Sequence, residues 1–302
     1  MTSTITARDN GAERSERMRL AGAPISWGVC EVPGWGYQLA PELVLAQMRD
    51  LGLTATEFGP PGFLPADPAG RAVTLARYGL TAVGGFLALV LHDRAADPAG
   101  QVERALAEFA AAGAGVLVLA AATGSDGYDA RPELDGQGWA TLLDSLDRAA
   151  ALAVPAGMTI TLHPHVGTMI ERRDEVHRVL DDCAIELCLD SGHLLIGGTD
   201  PAELARQAPG RIAHAHLKDV DAGWARRVRD GEVSYAAAVA AGMYRPLGTG
   251  DVDIAGLVSA LDAAGYDGWY VLEQDTVLAA EPDGPGPQGD VRASIAYLRG
   301  LS

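Results

Sequence analysis

The sequence predicts a (β/α)8 TIM barrel, an α/β fold in which eight parallel strands are each followed by a helix. Short apolar runs alternate with helical patterns along residues 21–302, which is typical of parallel strands joined by crossover helices. Eight such runs in 302 residues suit a barrel in number and length. A doubly wound dinucleotide-binding sheet is the alternative, but Trp27 and Gly28 follow the first run where a G-x-G-x-x-G turn would stand.

The predicted strands are the eight apolar runs that are bounded by turn signals. They cover residues 23–28, 55–58, 81–91, 116–121, 158–163, 185–189, 212–216 and 269–272. Helices lie between them, and in residues 41–51 Val44, Met48 and Leu51 recur at helical spacing before Gly52. The other helical patterns, which also end near a glycine, cover residues 101–112, 139–151, 254–264 and 290–298.

Two segments lie outside this repeat. Residues 1–20 are polar and charged, and we expect a disordered tail. Residues 221–253 separate the seventh strand from its helix and are too long for an ordinary βα loop, so we expect a lid over the catalytic face; a decorative helix or an oligomer contact is the alternative. The large side chains of this insertion are Trp224, Arg226, Arg227, Arg229, Tyr235 and Tyr244.

The composition limits the classes of molecule that the protein is expected to bind. A net charge of −17 and a pI of about 4.7 disfavour a nucleic-acid backbone, which needs a basic footprint. Neither a signal peptide nor a membrane-spanning run is recognisable. The three cysteines, Cys30, Cys183 and Cys188, lack metal or redox spacing. We therefore expect a cytoplasmic protein that acts on a small molecule, and the sequence leaves a homo-oligomer open.

Ionisable side chains collect at the predicted strand ends. Six of the seven histidines lie there: His92, His163, His165, His193, His214 and His216. Glu57, Asp190 and Glu273 end the second, sixth and eighth strands. Because the carboxyl ends of barrel strands converge on one face, we expect these groups to form one site.

Imidazoles and carboxylates without cysteine favour one divalent metal ion, with Mn²⁺ or Co²⁺ preferred and Zn²⁺, Fe²⁺ and Mg²⁺ as alternatives. Asp190, His216 and Glu273 come from adjacent strands and are the predicted ligands. The fourth ligand is His163 or Glu171. We favour Glu171, since this choice leaves an imidazole free to transfer a proton.

Six segments, at residues 23–27, 55–59, 163–168, 189–193, 214–219 and 272–275, resemble in order and spacing the inosose dehydratases of the xylose isomerase-like barrel superfamily. The resemblance covers the chain from about residue 21 to its end. It implies a metal held by Asp190, His216 and Glu273, with His193 near the substrate. Two features depart from the superfamily. His163 stands where its sugar epimerases carry a glutamate, and residues 28–33 differ from the acidic loop of the dehydratases.

The function expected from these features is that of a metal-dependent lyase, which dehydrates a keto-cyclitol or keto-sugar through an enediolate. His163 or His165 would take the proton from carbon. Lys218, the only lysine in the chain, would stabilise the enediolate or protonate the departing hydroxyl, with little part in folding. The side chains expected to contact substrate are Trp27 as a flat wall, and Glu57, His92, His193 and Asp275.

Two other functions fit the same features. An aldose-ketose isomerase or epimerase would use the same ion and enediolate but return the proton to carbon. A non-catalytic sugar-binding barrel is the third hypothesis, from a different class of protein.

Overall fold

The computed structural model describes residues 18–301, which form a nearly closed barrel of nine parallel strands. In chain order these are β1 (Arg19–Gly22), β2 (Ala55–Thr56), β3 (Thr81–Ala82), β4 (Gly84–Leu89), β5 (Val116–Ala121), β6 (Thr159–Leu162), β7 (Glu186–Asp190), β8 (Ile212–Leu217) and, later in the chain, β11 (Trp269–Leu272). The sheet runs β3-β2-β1-β11-β8-β7-β6-β5-β4, so β3 and β4 are its two edges. The predicted TIM-barrel fold is confirmed.

The edges β3 and β4 are two halves of the predicted third strand, and Val83 alone separates them. The Val83 N–H donates to Thr56 O on one side, at 2.9 Å, and Val83 O accepts from Val116 N on the other, at 3.1 Å. The chain therefore passes from one edge of the sheet to the other within one residue, which brings the eight predicted strands into a ring.

Helices surround the strands. They are α1 (Pro41–Asp50), α2 (Pro68–Arg77), α3 (Pro98–Ala111), α4 (Gly136–Ala156), α5 (Arg173–Asp182), α6 (Ser191–Ile196), α7 (Pro201–Gln207), α8 (Ala222–Arg229), α9 (Tyr235–Ala240), α10 (Ile254–Ala263) and α11 (Pro287–Arg299). Three of them begin with an aspartate followed by proline. In α7 the Asp200 carboxylate accepts from the Ala202 and Glu203 N–H groups, both at 2.9 Å, while Pro201 fixes a helical φ.

The first strand differs from the prediction. It covers Arg19–Gly22, and the predicted residues 24–27 instead form a short 3-10 helix (Pro24–Trp27). Pro24 has no N–H for the ladder, and Gly28 ends the turn at φ 78°, a backbone conformation that favours glycine. Arg19 and Leu20 therefore belong to the barrel and not to the predicted tail, whose residues 1–17 lie outside the described part of the chain.

The insertion at residues 221–253 contains α8, α9 and the short strand β10 (Tyr244–Arg245), which pairs antiparallel with β9 (Asp219–Val220). The Asp219 carboxylate accepts hydrogen bonds from the backbone N–H groups of Gly248, Gly250 and Val252 at 2.8, 2.9 and 3.0 Å. The end of the insertion is thus tied to the end of β8. Within residues 18–301, no helix has the length and apolar character needed to cross a bilayer.

Candidate active site

Three ionisable side chains meet where β7, β8 and β11 end. The His216 Nδ1 atom lies 3.3 Å from Glu273 Oε2 and 3.7 Å from Asp190 Oδ2. Asp190 caps α6, where its Oδ1 accepts from the N–H groups of Gly192 and His193 at 2.9 and 2.8 Å. This cap leaves Oδ2 directed at His216. The predicted ligand set is therefore assembled by three neighbouring strands.

This group fits a divalent cation. The His216 Nδ1 atom is buried and has no hydrogen-bond partner, although two carboxylates face it. One imidazole nitrogen and two carboxylate oxygens form a donor set that suits Mn²⁺, Co²⁺, Fe²⁺ or Zn²⁺. Burial alone would raise the pKa of Glu273, but the cationic neighbours His216 and Lys218 lower it to about 2. Glu273 is therefore ionised and ready to bind a cation.

The two candidates for a fourth ligand lie in different surroundings. His163 Nε2 is 3.2 Å from Asp190 Oδ2, inside the cluster. Glu171 Oε2 instead accepts from the Gly167 N–H at 2.7 Å and lies 3.5 Å from Arg131 Nε. These contacts favour His163 over the expected Glu171, because the Glu171 carboxylate is already held by a guanidinium and a backbone amide. The identity of the fourth ligand stays a prediction.

Lys218 lies in a ring of acidic groups. Its Nζ atom is 2.6 Å from Asp275 Oδ1, 3.0 Å from Glu273 Oε2 and 3.5 Å from Asp190 Oδ2. Burial disfavours the ammonium, but these carboxylates raise the pKa of Lys218 well above its usual value. Lys218 therefore remains a cation. Gly192 allows the close packing, since a Cβ there would lie 2.7 Å from Lys218 Cβ.

The insertion contributes two buried tyrosines to this ring. The Tyr235 hydroxyl donates to Asp275 Oδ2 at 2.6 Å and lies 2.8 Å from the Tyr244 hydroxyl. Asp275 thus accepts from Tyr235 and Lys218 through different oxygens. The sequence shows only that both tyrosines belong to the insertion. No pattern in the neighbouring residues indicates that their side chains point into the barrel.

A row of imidazoles lies beside Lys218. The His193 Nε2 atom is 3.2 Å from Lys218 Nζ, and the His193 and His165 rings are 3.7 Å apart between centroids. His165 Nδ1 donates to Val166 O at 2.7 Å, so its Nε2 carries the lone pair. Burial, with the nearby His163 and Lys218, lowers the pKa of His165 to about 3. His165 is accordingly neutral at pH 7.

Phe86 supplies an aromatic surface that the sequence reasoning missed. Its ring centroid lies 5.9 Å from the rings of both His163 and His165, yet 41% of the residue is exposed. An exposed phenylalanine in the middle of a barrel strand indicates open space in the lumen in front of it. The period-two pattern of β4, with Gly84, Phe86 and Ala88 on one face, is the signal that would have found it.

Three residues predicted to bind substrate lie elsewhere or are already bonded. Trp27 is fully buried and its Nε1 donates to Gln47 Oε1 at 2.8 Å, so it packs in the core and is no substrate wall. Within residues 18–301, no hydrogen bond or ring contact joins His92 to the charged cluster, and its Nδ1 atom is buried without a hydrogen-bond partner. Glu57 is only 4% exposed, and its Oε1 lies within 2.9 Å of both His214 and His216.

The barrel and this cluster agree with the relatives of the chain. A family described as a xylose isomerase-like TIM barrel matches residues 36–301. The chain belongs to this family. An inosose dehydratase of Geobacillus kaustophilus strain HTA426 is 32% identical to it in an alignment of 276 positions that covers 86% of this chain and 89% of that protein. The resemblance to inosose dehydratases that the sequence motifs indicate is confirmed.

Solved structures of the family share the fold. An L-ribulose 3-epimerase aligns with a TM-score of 0.68 at 18% identity and covers 94% of both chains. The IolI protein, solved with a zinc atom, aligns with a TM-score of 0.64 at 15% identity and covers 94% of this chain and 97% of its own. At these identities the two structures support the barrel fold alone.

Proposed function

We propose that the protein is a metal-dependent hydro-lyase that removes water from a keto-cyclitol or a related keto-sugar. One observation carries the proposal: a buried ammonium and a neutral imidazole lie close to the group of possible metal ligands. The ammonium of Lys218 contacts Glu273 of that group. His193 contacts Lys218 on one side and the His165 ring on the other. An acid and a base on the same side of a metal-binding group are what a dehydration needs. The relative in Geobacillus kaustophilus, an inosose dehydratase, favours a cyclitol with a ketone.

Asp190, His216 and Glu273 would hold the ion, with His163 as the fourth ligand and Mn²⁺ or Co²⁺ as the proposed metal. When bound, a divalent ion there would polarise the substrate carbonyl and so acidify the adjacent C–H bond. The donor set of these residues, imidazole nitrogens and carboxylate oxygens, supports a divalent ion in this chain. Asp190 has a second task, because its other oxygen orients α6 and hence His193.

His165 would be the base that takes the proton from carbon. His163 is the other candidate, but its Nε2 faces Asp190 at 3.2 Å and is occupied there. The Nε2 lone pair of His165 is free for a proton, since Nδ1 donates to Val166 O. Negative charge that develops on the substrate raises the proton affinity of this imidazole during the step.

Lys218 would act at the neighbouring carbon. As the C–O bond breaks, Nζ donates a proton to the departing hydroxyl, which leaves as water, and the electron pair of the former C–H bond becomes the new double bond. Asp275 and Tyr235 hold the ammonium in place. Phe86 would contact the apolar C–H face of the ring, the role expected at first of Trp27.

Isomerisation or epimerisation is the second candidate, because it would use the same ion and the same enediolate as the lyase. An imidazole base argues for elimination, because His165, once protonated, and the Lys218 ammonium make a positive edge that favours loss of the hydroxyl as water over return of a proton to carbon. A non-catalytic sugar-binding barrel would not need the Lys218 and His165 pair.

The test uses the metal-loaded protein in deuterium oxide, with inososes in one series and ketohexoses in the other. We expect mass spectrometry to show a product lighter by one water from an inosose or a related keto-sugar. Epimerised ketohexoses that carry deuterium at carbon, without a dehydrated product from any keto-cyclitol, would replace the proposal with the second candidate. Binding without any product would favour the sugar-binding barrel.

A further inference from the structure

Two buried histidines of β8 share one carboxylate oxygen. Glu57 Oε1 lies 2.8 Å from His214 Nε2 and 2.9 Å from His216 Nε2. An oxygen that lies within hydrogen-bond distance of two ring nitrogens accepts from both, so in this geometry each of the two histidines carries its proton on Nε2.

This proton placement decides what the other side of His216 can do. A divalent ion takes the place of the Nδ1 proton of His216, and the imidazole, which keeps its proton on Nε2, then presents its lone pair on Nδ1. The His216 Nδ1 atom is the buried, unpartnered atom that faces Glu273 Oε2 at 3.3 Å and Asp190 Oδ2 at 3.7 Å. The tautomer with the proton on Nδ1 would direct an N–H at both carboxylates and present no lone pair to a cation.

We propose that Glu57 is a positioning residue that fixes the tautomer and the ring orientation of His216, so that Nδ1 is the nitrogen that binds the divalent ion. His214, two residues earlier on β8, supports this arrangement, because its own Nε2–H donates to the same Glu57 oxygen and holds it in place. The inference rests on the proposed metal site but does not depend on which reaction the ion supports.

The location of Glu57 fits this task better than contact with substrate. It follows β2, which is separated from β8 in the sheet by β1 and β11, so the side chain reaches His216 across the lumen. Only 4% of Glu57 is exposed, and the oxygen that meets the histidines is already used twice. Removal of a carboxylate that holds the second nitrogen of a metal-binding histidine commonly changes metal affinity by about 10–100-fold.

The first experiment reads the His216 ring directly. Zn²⁺ is diamagnetic and suits the same donor set, so the protein labelled with ¹⁵N-histidine is loaded with Zn²⁺ alone. Long-range ¹H–¹⁵N spectra distinguish protonated from metal-bound ring nitrogens, and His216→Asn identifies the His216 signals by their loss. We expect a proton on Nε2 and the ion on Nδ1. A ring with its proton on Nδ1 and the ion on Nε2 would overturn the proposal, even if Glu57 variants fail to fold.

The second experiment compares Glu57→Gln with Glu186→Gln, a matched change at an exposed glutamate where β7 begins. Zn²⁺ and Mn²⁺ affinities are measured by competition with a chelator, and folding by circular dichroism. We expect Glu57→Gln to weaken binding of both ions about 10–100-fold and to populate the second tautomer of His216, with Glu186→Gln unchanged. A folded Glu57→Gln protein with the wild-type tautomer and affinity would refute the role of Glu57.

The two proposals fail separately. A wild-type protein that binds the ion through Nδ1 of an Nε2-protonated His216, but that dehydrates no keto-cyclitol, would leave the Glu57 inference standing and remove the lyase. If the wild-type protein dehydrates inososes but the Glu57→Gln variant keeps the wild-type metal affinity, the lyase proposal stands and the Glu57 inference falls.

Discussion

The lumen of the barrel has two layers with opposite chemistry. The lower layer is a small apolar cluster that includes Ala55 of β2 and Val271 of β11, both fully buried. Two residues further along the same strands, on the same face, lie Glu57 and Glu273. One step of the period-two pattern, about 7 Å of strand, therefore separates a packed hydrophobic layer from a cluster of buried charges.

The difference between the layers shows how the fold supports the site. The apolar cluster removes surface from water and stabilises the barrel, and none of its members is ionisable. The upper layer buries carboxylates, imidazoles and one ammonium, which costs free energy unless each charge has a partner. Substitutions in the upper layer should therefore change chemistry and ion binding, with a loss of stability as well where a buried charge loses its partner. Substitutions in the lower layer should change stability alone.

The largest effect is expected from Asp190→Asn in the upper layer. The amide keeps an oxygen that can cap α6 but loses the charge that faces His216 and Lys218. We expect ion content after dialysis to fall to background and turnover of an inosose to fall at least about 10³-fold, since Lewis-acid stabilisation is lost. Asp200→Asn caps α7 in the same way and is the control. Full ion content in Asp190→Asn would exclude Asp190 as a ligand.

Lys218→Met should come next, with a loss of turnover of about 10²-fold or more, which is typical of a positioned acid. The sequence suggested that stability would hardly change. With three carboxylates around Nζ, we instead expect the metal-free variant to lose about 3–5 kcal/mol in free energy of unfolding, because buried charges lose their cation. Urea unfolding measures this loss. Normal turnover in a folded variant would refute the catalytic role.

Val271→Ala tests the lower layer. We expect the free energy of unfolding to fall by about 1–2 kcal/mol because a buried cavity replaces two methyl groups. Ion affinity and kcat should stay within about threefold, since no charge is altered. A drop in kcat as large as that of Lys218→Met, without unfolding, would mean that the two layers are not independent.

Phe86→Ala tests the open part of the lumen. Loss of the aromatic face should raise KM for a keto-cyclitol about tenfold, which corresponds to about 1.4 kcal/mol of apolar contact, and should leave kcat and Mn²⁺ affinity near wild type. Val73→Ala, at an exposed position of α2, is the control for truncation outside the lumen. An unchanged KM would remove Phe86 from the substrate site.

The smallest effect is expected from mild acid. With the pKa of His165 lowered to about 3, chiefly by burial, this base stays neutral and competent as the pH falls from 7 to 5. At saturating metal, kcat/KM should therefore show no decline centred near pH 6.5, the ordinary histidine value. Such a decline, if abolished in His165→Asn, would show that the base is more exposed in solution than in the structure.

The barrel and most of the charged cluster follow from the order of the amino acids alone. Strand order in a barrel follows chain order, so residues that end adjacent strands must meet, and this rule identifies Asp190, His216, Glu273 and Lys218. The boundaries of β5 and β11 also follow from the apolar runs. The first strand lies earlier in the chain than the apolar run predicts, because Pro24 begins a 3-10 helix within that run.

The depth and the direction of individual side chains depend instead on the folded chain. The sequence shows that Trp27 follows a strand, but not that α1 covers it and offers Gln47 as a partner. The sequence offers Glu171 as a metal ligand, but it does not show that Arg131, forty residues earlier, pairs with that carboxylate. Glu57 meets His216 from 159 positions away. The periodicity of the sequence shows which face of a strand or helix a residue lies on. It does not show which partner from a distant part of the chain will bind the side chain, and each of these contacts depends on such a partner.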